Sequence, residues 1–98
     1  MTNRRKRTGQ ETIEKTFVIG GKLGLHARPA AIFDQTANRF ESSVEVQKED
    51  MKIDGKSIMG IMTLAAEMGS SITIRVTGKD AAASMEALTK LLESNFGE

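Results

Sequence analysis

Ile72-Thr73-Ile74-Arg75-Val76-Thr77 alternates apolar and polar side chains more regularly than any other segment of this chain. Strict alternation puts the apolar side chains on one face of a strand and the polar side chains on the other. The segment therefore predicts a strand that ends at Gly78 and belongs to a sheet with one buried face and one solvated face.

Three further segments carry strand signals. Residues 14–20 are rich in β-branched and aromatic side chains, with the apolar ones mostly on one parity. Residues 44–47 alternate two valines with polar residues, and Glu49-Asp50 is a turn into a short strand over residues 51–54. We predict that the strands over residues 44–47 and 51–54 form a hairpin.

Three segments have the spacing of amphipathic helices. The first helix begins at or next to His26, the second has Ser57 near its N-cap, and Asp80 caps the third. We expect residues 94–98 to fray beyond the third helix. The apolar stripes of the first and third helices consist of Ala30, Phe33, Ala37 and Phe40, and of Met85, Leu88 and Leu92.

The predicted order is β-α-β-β-α-β-α, which indicates a single α+β domain with four strands and three helices on one sheet face. A chain of 98 residues is the size of one domain. Residues 1–12 hold the basic run Arg4–Arg7 and no apolar segment, so we expect a disordered, solvated arm. The folded domain is then expected over residues 13–98.

Composition excludes several classes of function. The chain has no cysteine and one histidine, which rules out disulfides, thiol catalysis and cysteine-ligated zinc, and we expect no metal and no cofactor. No apolar run approaches the roughly 20 residues that span a bilayer, and the first residues lack the apolar part of a secretory signal. We therefore expect a cytoplasmic protein without membrane insertion. Four clustered charges without aromatic partners are a weak signal for nucleic acid, and we expect none to bind.

The only histidine of the chain lies in Gly24-Leu25-His26-Ala27-Arg28-Pro29-Ala30. An imidazole at a helix N-terminus lies next to unpaired backbone N–H groups and to Arg28, and both favour a phosphate dianion. His26 would be the nucleophile that forms a phosphoramidate, although a polar helix cap is the alternative interpretation. Since the chain has no Walker-type nucleotide loop, a partner would have to bring the phosphoryl group. These features predict a phosphoryl carrier that is not an enzyme by itself.

The second predicted helix carries two further candidate functions. Ser57 is an N-cap by its local pattern, and a regulatory phosphorylation there is compatible with that position because a helix N-terminus tolerates negative charge. Ile58, Met59 and Met62 add more apolar surface than one side of a short helix buries, and flexible methionines suit a surface that fits several partners. We expect this surface to dock partners.

Two motifs together resemble the HPr family, the histidine-containing phosphocarriers of the bacterial phosphoenolpyruvate-dependent phosphotransferase system. The motifs are residues 24–30 and Lys56-Ser57-Ile58-Met59-Gly60-Ile61-Met62, and the likeness extends over about residues 13–96. The resemblance implies an open-faced β-sandwich, with a four-stranded antiparallel sheet under three helices. This agrees with the order of elements that the residue patterns predict.

The resemblance also implies roles for individual residues. Phosphate would be carried on Nδ1 (the pros nitrogen) of His26, received from enzyme I and passed to enzyme IIA domains, with Arg28 as the active-site arginine. Ser57 matches the serine that HPr kinase/phosphorylase modifies in the family. The residues that fall on the family's docking surface are Ile58, Met59 and Met62.

The sequence departs from the family pattern at three places. Leu23 stands where many sugar-type members have a polar residue, and residues 22–24 look like the nitrogen-related branch, whereas residues 56–60 look like the sugar branch. The basic run Arg4–Arg7 has no counterpart in the family core.

Three hypotheses follow from the sequence. The first is a monomeric phosphoryl carrier on His26 that serves sugar uptake or its regulation. The second is a regulatory binding module of a nitrogen-type or incomplete phosphotransferase system, controlled by its phosphorylation state. The third is a nucleic-acid binder that uses its basic arm on a ferredoxin-like scaffold.

Overall fold

The structure is a computed structural model that describes residues 11–98, so residues 1–10 of the predicted arm lie outside it. The order β-α-β-β-α-β-α is confirmed. The elements are β1 (Glu11–Val18), α1 (Ala27–Ala37), β2 (Ser43–Lys48), β3 (Met51–Asp54), α2 (Ile58–Thr63), β4 (Ser71–Gly78) and α3 (Ala81–Glu93), followed by a 3-10 turn over Asn95–Gly97.

The four strands form one antiparallel sheet in the order β1-β4-β2-β3. Within β4, Ile72, Ile74 and Val76 are at most 1% exposed, while Thr73 and Arg75 lie on the other face and are partly exposed. The alternation of this strand thus separates a core face from a solvated face, as predicted. The central position of β4 explains why its pattern is the clearest in the chain.

The helices cover the apolar face of the sheet and complete one core. Phe33 of α1, Ile61 of α2 and Leu88 of α3 are all at most 1% exposed and belong to the same buried cluster as the β4 side chains. Full burial of one such side chain stabilises the fold by about 1.5–3 kcal/mol. Leu92, predicted for the stripe of the third helix, is only partly buried at the edge of this cluster.

The first strand begins earlier than predicted. Glu11 pairs with Gly78 and Thr12 pairs with Thr77, whose hydroxyl lies 3.0 Å from that of Thr12. Glu11 and Thr12, which were predicted to belong to the arm, therefore lie in β1. The error arose because these polar residues resemble the arm by composition, whereas their pairing depends on the length of β4.

The first helix ends at Ala37, so the prediction that Phe40 belongs to its apolar stripe is wrong. Asn38 is the C-cap residue, and its side chain donates to the carbonyl oxygen of Asp34 at 2.9 Å and to that of Lys56 at 3.3 Å. Phe40 lies in the following loop and is partly buried.

Asp80 stands at the N-cap position of α3, but its side chain makes no bond to its own helix. The carboxylate instead accepts hydrogen bonds from the amides of Glu41 and Ser42, both at 2.9 Å, and from the Ser42 hydroxyl. The hydroxyl bond is the largest cause that lowers the pKa of Asp80. Asp80 thus joins the start of α3 to the loop between α1 and β2, which the sequence pattern did not indicate.

The residues after α3 do not fray. Asn95, Phe96 and Gly97 have positive φ angles of 55°, 56° and 76°, and the Phe96 side chain is buried in the core with 7% exposure. This left-handed turn directs Glu98 back toward the start of α1. Over the residues that the structure describes, no helix has the length and apolar character to cross a bilayer.

Candidate functional site

A loop that is held against the backbone of Ala66 brings His26 to the start of α1. Gly24 has a positive φ of 67°, and any side chain there would clash with the carbonyl oxygen of Ala66. The same carbonyl accepts a hydrogen bond from the amide of Leu25 at 2.9 Å, and the Leu25 side chain is buried. Only glycine fits this close approach without strain, so the sequence Gly24-Leu25-His26 fixes where the imidazole lies.

His26 occupies the N-cap position of α1 in an extended conformation (φ −76°, ψ −172°), as the sequence predicted. Its carbonyl oxygen accepts the first helical bond, from Ala30 at 3.0 Å, but its side chain makes no cap hydrogen bond. His26 therefore stands at the cap position, but its side chain does not serve as the cap. The amides of Ala27 and Arg28 have no acceptor within the helix, because they belong to its first turn.

Glu98 lies against both predicted site residues. Its Oε2 atom is 3.2 Å from Nε2 of His26 and 3.2 Å from Nη1 of Arg28. The side chains of His26 and Glu98 are 32% and 24% exposed, whereas that of Arg28 is 61% exposed. Sequence reasoning missed Glu98 because it assigned this residue to a frayed end, and the one available signal was Phe96, a large aromatic side chain in that segment.

Two open depressions flank the imidazole. One, of about 630 Å³, is lined by residues that include Lys22, Arg28 and Glu98, and the other, of about 390 Å³, by residues that include Met62. Lys22 and Leu23 line both, and Leu23 is 75% exposed. The ring is thus accessible from two sides, beside two cationic side chains and one exposed leucine.

Ser57 is the N-cap of α2, as predicted. Its Oγ accepts a hydrogen bond from the amide of Gly60 at 3.0 Å. Ile58, Met59 and Met62 are 38%, 74% and 41% exposed, so the side chains predicted to dock partners are all accessible. Met62 shares a depression with the histidine ring, whereas Ser57 lines neither depression.

The arrangement suits the transfer of a small anionic group. Two first-turn amides and the guanidinium of Arg28 provide positive charge next to an accessible imidazole. Within residues 11–98, no group of three or more His, Cys, Asp or Glu side chains is placed to hold a metal ion.

Comparison with known proteins gives a consistent result. A family model described as "PTS HPr component phosphorylation site" matches residues 13–94. The phosphocarrier protein HPr of Neisseria meningitidis is 48% identical over 86 residues, which cover 88% of this chain and 97% of the relative. The HPr-like protein Crh of Halalkalibacterium halodurans is 47% identical over 81 residues, 83% of this chain and 96% of that protein. The crystal structure of HPr from Thermoanaerobacter tengcongensis matches with a TM-score of 0.85 at 46% identity, covering 88% of this chain and 97% of that one.

Proposed function

The chain belongs to the HPr family of phosphocarrier proteins, and on this premise we propose that it accepts a phosphoryl group from phospho-enzyme I on Nδ1 of His26. It then passes the group to enzyme IIA domains of the phosphotransferase system. The observation that carries the proposal is the accessible imidazole of His26 at the N-cap of α1, beside the free first-turn amides and Arg28.

The chemical step needs little beyond position and charge. The lone pair of Nδ1 forms a bond to phosphorus while the bond from phosphorus to the donor atom of enzyme I breaks, and that electron pair stays on the donor. The negative charge of the transferring oxygens is stabilised by the amides of Ala27 and Arg28 and by the Arg28 guanidinium. The product is a phosphoramidate that an enzyme IIA domain can attack in the same way.

The test is phosphorylation with enzyme I and phosphoenolpyruvate. We expect one acid-labile phosphate per molecule, none in His26→Ala, and an unchanged level in the control Ser57→Ala. The proposal fails if the wild-type protein takes no label or if His26→Ala takes as much. Onward transfer is then measured with sugar-type and nitrogen-type enzyme IIA domains, and the faster acceptor identifies the branch.

The proposal includes regulation at Ser57. Its hydroxyl accepts a hydrogen bond from the Gly60 amide of its own helix, and Ser57 adjoins the exposed residues Ile58 and Met59. A phosphate there would add negative charge beside the docking surface without removing a core side chain. HPr kinase/phosphorylase with ATP should label the wild-type protein and leave Ser57→Ala unlabelled, and equal labelling of both would contradict this assignment.

A regulatory binding module is the second candidate function. It is favoured by the 47% identity to the HPr-like protein Crh of Halalkalibacterium halodurans, whose Bacillus subtilis counterpart is the catabolite repression HPr. Labelling at Ser57 without onward transfer from His26 would favour the module, and rapid transfer from His26 would favour the carrier.

We also propose that the protein is a cytoplasmic monomer and that it does not bind nucleic acid. Related proteins have been described as dimers, namely an HPr of Thermoanaerobacter tengcongensis and Crh of Bacillus subtilis. Sedimentation equilibrium measures the oligomeric state directly, and a dimer at micromolar concentration would contradict the monomer. Salt-dependent binding to DNA or RNA that is lost on deletion of residues 1–10 would instead support the nucleic-acid hypothesis.

A further inference from the structure

The carboxylate of Glu98 connects the two residues that the proposed function uses. One oxygen, Oε2, lies 3.2 Å from Nε2 of His26 and 3.2 Å from Nη1 of Arg28. An Nε2–H can donate to a carboxylate oxygen at this distance. The contact therefore concerns the ring nitrogen opposite to the one proposed to carry phosphate.

The position of Glu98 is built by the turn before it. Asn95 and Phe96 adopt left-handed backbone angles, which are disfavoured for residues with a side chain, and Phe96 is nonetheless buried in the core. The turn is closed by bonds of 3.0 Å from the Gly97 amide to Ser94 and from the Glu98 amide to Asn95. Burial of Phe96 thus stabilises the left-handed backbone conformation of this turn.

The turn also touches the loop that precedes the histidine. The space beside Gly21 is filled by the Asn95 side chain, so that a side chain at Gly21 would press against the Asn95 amide. The depression formed there is lined by Gly20, Lys22, Asn95 and Glu98 as well as by the two site residues. The polar contact of Glu98 with His26 is thus accompanied by packing of Asn95 against the loop that precedes the histidine.

We propose that Glu98 is a positioning residue that keeps the proton of the neutral imidazole on Nε2, so that Nδ1 of His26 holds the lone pair that accepts the phosphoryl group. A carboxylate that faces one ring nitrogen selects the tautomer in which that nitrogen bears the proton. This inference rests on the proposed function, because it explains which nitrogen of His26 is free to react.

The same carboxylate acts after transfer. Once Nδ1 is bonded to phosphorus and Nε2 keeps its proton, the ring carries a positive charge, which an adjacent carboxylate stabilises. Arg28 has five N–H donors, so one can contact Glu98 while others face phosphoryl oxygens. Glu98 thus orients the ring and the guanidinium without contacting phosphate itself.

The experiment compares Glu98→Gln with the control Glu93→Gln, an exposed carboxylate at the end of α3. The tautomer ratio of His26 is measured by ¹⁵N NMR on unphosphorylated protein, at a pH where the ring is neutral. We expect the fraction of the Nδ1–H tautomer to rise in Glu98→Gln and to stay at the wild-type value in Glu93→Gln. Amide spectra that match the wild type away from the substituted residue will show that both variants are folded.

The second readout is the rate of phosphorylation by phospho-enzyme I. Because the Glu98 side chain is partly exposed, its charge should have a modest effect. We expect kcat to fall roughly 1.5- to fivefold in Glu98→Gln, with KM for enzyme I unchanged. Glu98→Asp, which restores the charge, should recover part of the rate.

The outcomes separate the two proposals. An unchanged tautomer ratio and unchanged kcat in Glu98→Gln would overturn the positioning role, as would equal changes in Glu93→Gln. If the tautomer ratio shifts but wild-type His26 takes no phosphate, the positioning contact stands and the proposed function falls.

Discussion

Asp80 holds Ser42 by two bonds, because one carboxylate oxygen accepts from both the amide and the hydroxyl of Ser42. The other oxygen accepts from the amide of Glu41 at 2.9 Å. These bonds tie the start of α3 to the segment that enters β2, and a side chain at Gly78 would clash with Ser42. The start of α3 and the segment that enters β2 are therefore joined by one side chain, Asp80.

Asp80→Asn should lower the melting temperature at neutral pH. The carboxamide replaces one acceptor oxygen with an N–H₂ donor, which then faces a backbone N–H that it cannot bond. The bonds to Ser42 and Glu41 lower the pKa of Asp80, so their stabilisation is present above the ordinary aspartate pKa of 3.8 and is lost as pH falls through the lower folded pKa.

Thermal unfolding across pH tests this. The difference in melting temperature between wild type and Asp80→Asn should be constant above roughly pH 5 and should shrink below pH 4. Asp50→Asn, at an exposed turn, serves as the control. A difference that grows on acidification would contradict a lowered pKa for Asp80 in the folded protein.

The sequence predicted best those elements whose residue pattern directly reflects which of their side chains are buried. Ile72, Ile74 and Val76 alternate because β4 is central, and the Gly24–Ala30 motif predicts the start of α1 at His26 because its turn is local. Segment ends were predicted less well, since β1 gains Glu11 only through pairing with β4.

The site itself was only partly predictable for a related reason. His26 and Arg28 are two residues apart in sequence, whereas Glu98 reaches them from 70 residues away. That contact depends on a left-handed turn that residue types alone do not specify, and on burial of Phe96 among residues from other elements. Tertiary packing therefore decides which carboxylate faces the ring.

Phe96→Ala should destabilise the fold and release Glu98. Removal of a buried phenylalanine costs about 3–5 kcal/mol in the free energy of unfolding. Urea denaturation measures this cost, and Phe40→Ala, which truncates a partly buried side chain in a loop, should cost less. A smaller effect at Phe96 than at Phe40 would contradict the anchoring role of the turn.

Ser57→Ala and Ser57→Asp should separate the cap from the charge. Alanine loses the bond to the Gly60 amide and should cost about 0.5–2 kcal/mol, whereas aspartate is itself a good N-cap and should keep the melting temperature. Aspartate should nevertheless slow phosphorylation of His26 at low salt, through repulsion of an acidic partner, and recover at high salt. Equal slowing in both variants would contradict a charge effect, because alanine adds no charge.

Arg28→Ala should slow phosphorylation of His26 by roughly tenfold, the effect of losing about 1.4 kcal/mol of charge-assisted hydrogen bonding to the transferring oxygens. Arg28→Lys should keep part of the rate, since a lysine retains the charge but lacks the planar fork of donors. Single-turnover transfer from phospho-enzyme I measures the rate. Equal rates in Arg28→Ala and wild type would exclude a role for this guanidinium in transfer.

Deletion at the start of the chain should show where the folded domain begins. A variant that starts at Glu11 keeps all of β1 and should retain the melting temperature and the phosphorylation rate of the full chain. A variant that starts at Ile13 loses the pairs of Glu11 with Gly78 and of Thr12 with Thr77. Because each lost hydrogen bond contributes about 0.5–1.5 kcal/mol, urea denaturation should show a lower free energy of unfolding for the shorter variant only. Equal stability of the two variants would show that the folded domain begins at residue 13. Loss of phosphorylation in the variant that starts at Glu11 would show that the basic arm has a function.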